Sequence, residues 1–246
     1  MSVNDWSNLV GSLGPTSVVQ GLTGSQLAAP GGGQFVYGMN AVGKQAGVAA
    51  KFLSVDGFNP MDLGGRISGA IKRRSRLSGD MAAFFFLGLR GFAVQDDAYM
   101  LGLAGDDFSH IVLRKGSIRE GLPGGNDGSN GILARSEARF PDDAWLHLCL
   151  ELVVARPATV SDVVLNVYQS ELGQHPVTDP HWVKIAGMSD CRNGLPATAF
   201  IDDMFGVNSG SLPLGGGRAG FGVHVSTAAQ SAFWDHIKIS KQLVPI

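Results

Sequence analysis

The residues able to do acid–base chemistry are placed badly for it. Asp96 and Asp97, Asp106 and Asp107, Asp142 and Asp143, and Asp202 and Asp203 are adjacent pairs. Neighbours on a strand point to opposite faces, so such pairs suit turns and not a general acid with its nucleophile. Hydrolysis of a glycosidic bond by two carboxyl groups needs both on one face, ~5–10 Å apart. Glu151 stands alone, and the group that shares its strand face is His147, four positions away. No Gly-x-Ser-x-Gly elbow is present. Residues 124–131, GGNDGSNG, are rich in glycine but lack the strand-to-helix setting of a phosphate cradle. Asn126, Asp127 and Asn130 offer oxygen donors there, yet one carboxylate is little charge for calcium, and a loop is the expectation. His175 and His181 bracket a loop-like PVTDP, and His224 and His236 fall in the last two apolar runs, where they are placed to meet across a sheet. Neither pair brings the third and fourth ligands that zinc requires. The expectation is a protein without catalytic residues, metal or cofactor.

The elements that would position these groups read as strands. In 145–154, Leu146, Leu148, Leu150 and Leu152 fall on one face, and His147, Cys149 and Glu151 on the other. In 163–169, Val163, Leu165 and Val167 oppose Asn166 and Tyr168. In the last run, Asp235, Ile237 and Ile239 alternate with Trp234, His236 and Lys238. Period two over such lengths means strands with one side in a core. Similar runs begin at residue 34, with turn-forming glycines, 35 in the chain, spread among them. Strands without alternating helices predict an all-β, antiparallel two-sheet sandwich. The opposing faces are only partly polar, so one sheet is expected to be covered on its second side by loops or by a neighbouring subunit. Residues 1–33 read as an N-terminal extension. Asn4 or Asp5 can cap a short helix or start an arm, and a Gly-, Ser- and Pro-rich stretch follows. The sandwich domain is expected over 34–246.

Charge narrows the partners. The net charge is −2, which does not favour nucleic acid. The basic cluster Lys72, Arg73, Arg74 and Arg76 reads as a solvated strand end and turn. The densest apolar run, 81–89, falls well short of the ~20 residues of a membrane-spanning helix. The N-terminus has no basic-then-apolar signal pattern, so synthesis in the cytoplasm without a signal peptide is expected. Cys149 and Cys191 are then expected as free thiols.

The order of these runs carries a resemblance. GGRISGAIKRR, FFFLGLR, AYMLGL, HIVLRKG, WLHLCLEL and VVLNVYQSE are followed by GRAGFGVHVS and AFWDHIKI. The series resembles the concanavalin A-like lectin/glucanase jelly roll over about residues 34–240. Its best motifs are the closing pair, Gly220 with Phe221 and Trp234 with Asp235. That superfamily holds lectins, glycan hydrolases, laminin-G-like modules and structural proteins of viruses and phages, so fold alone does not choose among them. The resemblance implies a calcium and manganese site in legume-type lectins, and the matching carboxylate-rich pattern is not found here. It also implies that Trp145, Tyr168, Trp182 and Trp234 either stack on sugar rings or pack under loops and at subunit contacts. The glycan-binding set expected is Trp182, Trp145 and Tyr168 with Asn126 and Asp127. Three functions follow. The first is a non-enzymatic subunit of a symmetric assembly, such as a phage or phage-like particle, clasping its neighbours through the N-terminal arm. The second is a carbohydrate-binding, lectin-like module. The third is a diverged glycoside hydrolase with carboxylates from distant strands.

Overall fold

The computed structural model describes residues 7–11, 17–20, 30, 35–40, 47–54, 65–74, 81–89, 97–103, 110–118, 132–140, 144–154, 162–172, 174–185, 199–203, 218–225 and 231–240. The strands are β1 (Ser7–Gly11), β2 (Ser17–Gln20), β3 (Phe35–Asn40), β4 (Gly47–Ser54), β5 (Gly65–Arg74), β6 (Met81–Leu89), β7 (Asp97–Leu103) and β8 (His110–Ser117). They continue with β9 (Ile132–Arg139), β10 (Trp145–Val154), β11 (Asp162–Ser170), β12 (Val183–Lys184), β13 (Ala199–Asp203), β14 (Arg218–Val225) and β15 (Ser231–Ser240).

They form two antiparallel sheets, the jelly-roll sandwich that the period-two runs require. One sheet has the order β1-β4-β14-β6-β7-β8-β9, the other β12-β11-β10-β5-β15-β3-β2. β13 also pairs with β11, against Asp162–Asn166, while β12 takes Tyr168 and Gln169 farther along the same strand. Between the sheets lie Leu148, Leu150, Leu152, Leu165 and Val167 from one side and Phe85, Leu101, Leu113 and Phe221 from the other. Each such side chain contributes roughly 1.5–3 kcal/mol when fully buried. The two closing motifs meet here: the Phe221 and Trp234 rings lie 5.1 Å apart across the sandwich. Trp234 is wholly buried and is therefore core, not a sugar platform.

The last strand departs from simple alternation. Trp234 pairs with Ile71 and Asp235 with Ala70, but the next pairs are Lys238 with Ser68 and Ile239 with Ile67. Two residues, His236 and Ile237, thus stand opposite Gly69 alone, and His236 takes a φ of 51°. This bulge resets the phase of the strand. Trp234 and Ile239, expected on opposite faces, both pack on the core, and Lys238 turns outward. Gly69 makes the crowding tolerable: a Cβ there would meet the Asp235 carbonyl and Ile237 Cα at 3.2 Å and Phe85 at 3.0 Å.

Much of the described second face of each sheet is buried within this chain. Phe84, Phe86, Met100 and Val112 lie outside the central cluster and are 0% exposed. His147, Cys149, Glu151, Asn166 and Tyr168 on the other sheet are buried too. Lys72 and Arg73 correct the solvated reading of the basic cluster, since both are buried. Lys72 sits in register between Trp145 and Phe233, whose bulk shields its stem. Arg76 lies outside the described residues. Ser7–Gly11 and Ser17–Gln20, within the expected extension, are strands paired to β4 and β3, so SNLVG is neither helix nor arm. An available edge outweighs a capping residue there. β9 and β13 had no strong strand signature; β9 ends in exposed Glu137, Ala138 and Arg139.

Candidate functional site

The outer face of the β12-to-β2 sheet carries a ladder of polar groups because β5, β10 and β11 lie in strict register. One rung is Arg66, Glu151 and Asn166; the next is Ser68, Cys149 and Tyr168; the third is Ala70, His147 and Ser170. Side chains directly opposite on adjacent strands lie ~4.5–5.5 Å apart at Cβ, so each rung is a contact set.

At one end Glu151 is fully engaged. Arg66 Nη2 donates to its Oε1 at 2.7 Å, Asn166 Nδ2 to Oε2 at 2.8 Å, and the Tyr168 hydroxyl to Oε2 at 3.1 Å. Lys184 Nζ reaches Asn166 Oδ1 at 3.5 Å and lies 5.8 Å from the Tyr168 ring centre. Burial, then the charge and hydrogen bond of Glu151, hold the Tyr168 phenol protonated well above the ordinary range. Burial likewise pushes the Cys149 thiol up, and the thiol is free. A carboxylate with three donors and 4% exposure is placed to hold strands together.

At the other end the face opens into a cavity of about 380 Å³. Arg66, Ser68 and His147 form its floor, and Lys238, Ile239 and Ser240 one wall. The opposite wall is the segment between β11 and β12, which contributes Val177, Pro180 and Trp182. That segment is held by its own bonds: His175 N to the Glu171 carbonyl at 2.8 Å, Asp179 N to the Pro176 carbonyl at 3.0 Å, and His181 N to Ser170 Oγ at 3.0 Å. The His175 and His181 rings meet edge-on at 5.0 Å. The result sets Trp182 against His147, ring centres 4.5 Å apart. His147 is 2% exposed, and its Nδ1 is buried without a hydrogen-bond partner. Burial, reinforced by the charges of His236 and Lys238, lowers its pKa to about 4, so the ring is neutral at pH 7. His236 is shifted down as well, by burial and by Lys238, against a smaller opposing effect of Asp235.

Of the expected glycan set, Trp182 lines the cavity and is half-buried. Trp145 shares the strand face of His147, two residues away, with its indole Nε1 buried and unpartnered. Tyr168 is 5% exposed and committed to Glu151, so it offers no ring to a ligand. Asn126 and Asp127 lie outside the described residues, as does Cys191. His224 and His236 sit in strands of different sheets and do not meet across one. Arg66, His147 and Lys238 were not expected as site residues. Lone charges at outward positions of apolar strands, Arg66 and Glu151, were the available signal for the first; the bulge hid Lys238. Among the described residues, no group of three or more His, Cys, Asp or Glu gathers to hold a metal. No helix among them is long and apolar enough to cross a membrane.

No family model and no curated protein matches the sequence. Solved structures do. The exoplasmic/lumenal domain of VIP36, in a form bound to Ca²⁺ and Man3GlcNAc, superposes with a TM-score of 0.50 at 13% identity, covering 100% of this chain and 87% of that one. The carbohydrate-binding module CBM66 from Bacillus subtilis gives 0.46 at 9% identity, covering 96% and 95%. A carbohydrate esterase from the Shiga toxin-encoding bacteriophage phi24B gives 0.47 at 14%, covering 98% and 92%. At such identities the VIP36 likeness speaks for architecture and not for activity. The chain has the concanavalin A-like jelly-roll fold.

Proposed function

We propose that this protein is a carbohydrate-binding, lectin-like module, that it takes a sugar into the cavity beneath Trp182, and that it does not cleave what it binds. The observation that carries the reading is the cavity itself. Its size falls in the ~300–1,000 Å³ range of small-ligand sites. An indole in tilted contact with His147 forms one side, and Ser68 and Ser240 bring hydroxyls to the others. Aromatic faces pack on the C–H faces of sugars while hydroxyls and cations bind the rim oxygens. Against hydrolysis stands the commitment of Glu151 to Arg66, Asn166 and Tyr168.

The particle-subunit reading has less behind it. It relied on an arm free to clasp a neighbour, whereas Ser7–Gly11 and Ser17–Gln20 pair within this chain. It also rested on apolar residues expected at the surface, whereas Phe84, Phe86, Met100 and Val112 on a sheet's second face are buried within this chain. A broad glycan array is the test. Binding to at least one glycan class, lost in Trp182→Ala, is expected; silence across the array, or hits indifferent to that substitution, would sink the reading.

A further inference from the structure

We infer that the sugar accepted by this cavity is anionic, carrying a carboxylate or a sulfate ester, and that Lys238 is the residue that selects for it. The inference rests on the lectin-like reading and adds the ligand's charge to it. The described lining contains two cations, Arg66 and Lys238, and no Asp or Glu. They differ in use. Arg66 is already engaged by Glu151 at 2.7 Å, which offsets much of its charge. Lys238 is exposed and makes no ion pair among the described residues. The bulge opposite Gly69 is what turns it to this side.

Both His147 and His236 are shifted down first by burial, and Lys238 adds a smaller effect of the same sign to each, opposed at His236 by Asp235. Neither nearby acidic group lines the cavity: Glu151 is engaged by Arg66, Asn166 and Tyr168, and Asp235 accepts from His236 N at 2.8 Å. His147 supplies a further polar group on the floor, 2% exposed, whose Nδ1 has no protein partner. A carboxylate or sulfate at the rim would face Lys238, with the sugar ring against Trp182.

Matched probes decide it. The full chain is titrated with oligogalacturonate and with the same oligomer methyl-esterified, and in a second arm with a sulfated galactan oligomer and its desulfated form. The array hits are scored in the same pairs. The expected result is about tenfold tighter binding of the charged member of one pair, the size of one charge-assisted contact. The preference shrinks at high salt and disappears in Lys238→Gln. The two arms tell carboxylate from sulfate. Lys238 is exposed, and thermal unfolding of the variant confirms that it folds. Equal affinity for charged and neutral members, with binding still lost in Trp182→Ala, overturns this inference and leaves the lectin-like reading standing. A charge preference that survives Lys238→Gln overturns it too. Failure of every probe and of the whole array brings down both.

Discussion

The two ends of one strand face behave oppositely. β10 presents Glu151 and His147 to the same side of the sheet, four residues apart. Glu151 has three donors and almost no exposure; His147 has an orphaned Nδ1, an aromatic lid and a cavity in front of it. The lesson is that polarity on a sheet face does not mark a site. A buried charge that is fully paired fixes the strands, and a group left incompletely satisfied beside open volume is where a ligand can contribute.

The largest expected effect breaks the closed end. Glu151→Ala leaves Arg66 without its carboxylate and should cost about 3–5 kcal/mol of stability, read by urea unfolding. A fall in affinity without a fall in stability would reverse the roles assigned to the two ends.

Next comes pH at the open end. The folded pKa of His147, about 4, lies below the unfolded value of 6.5, so the unfolded chain binds the extra proton first. The contribution of the neutral ring is present above pH 6.5 and is lost as pH falls to about 4. The loss should total about 3 kcal/mol at one proton and ~1.36 kcal/mol per pH unit. His147→Gln should flatten this part of the stability profile. An unchanged slope would mean that His147 is not the group responsible.

Trp182→Ala should abolish detectable glycan binding with less than ~1 kcal/mol lost in stability, because the indole is half-buried and its ring contact is with His147. Equal losses of both would make it a structural lid instead. The smallest effect is at Cys149, between the two ends: its buried, protonated thiol should resist alkylation until the protein unfolds, as peptide mapping would show.

Much of the fold was legible because period two is a local property. Leu146 to Leu152, and Leu165 with Val167, announced their core faces without reference to any partner, and His147, Cys149 and Glu151 were placed on one face correctly. The site was legible only in part. Trp182 was identified by type alone. Tyr168 was misjudged as a platform because its hydroxyl is claimed by a residue 17 positions away. Arg66 meets Glu151 across 85 positions, and no local pattern announces that pairing.

The sequence by itself determined that alternating apolar side chains would close two sheets face to face, since each strand carries its own two-sided pattern. Only the tertiary structure decided which outward groups would be consumed and which left open. That depends on register between strands distant in the chain, on a bulge permitted by Gly69, and on a segment that lays Trp182 over His147. Such choices are properties of neighbours in space, and a strand's own residues do not encode them.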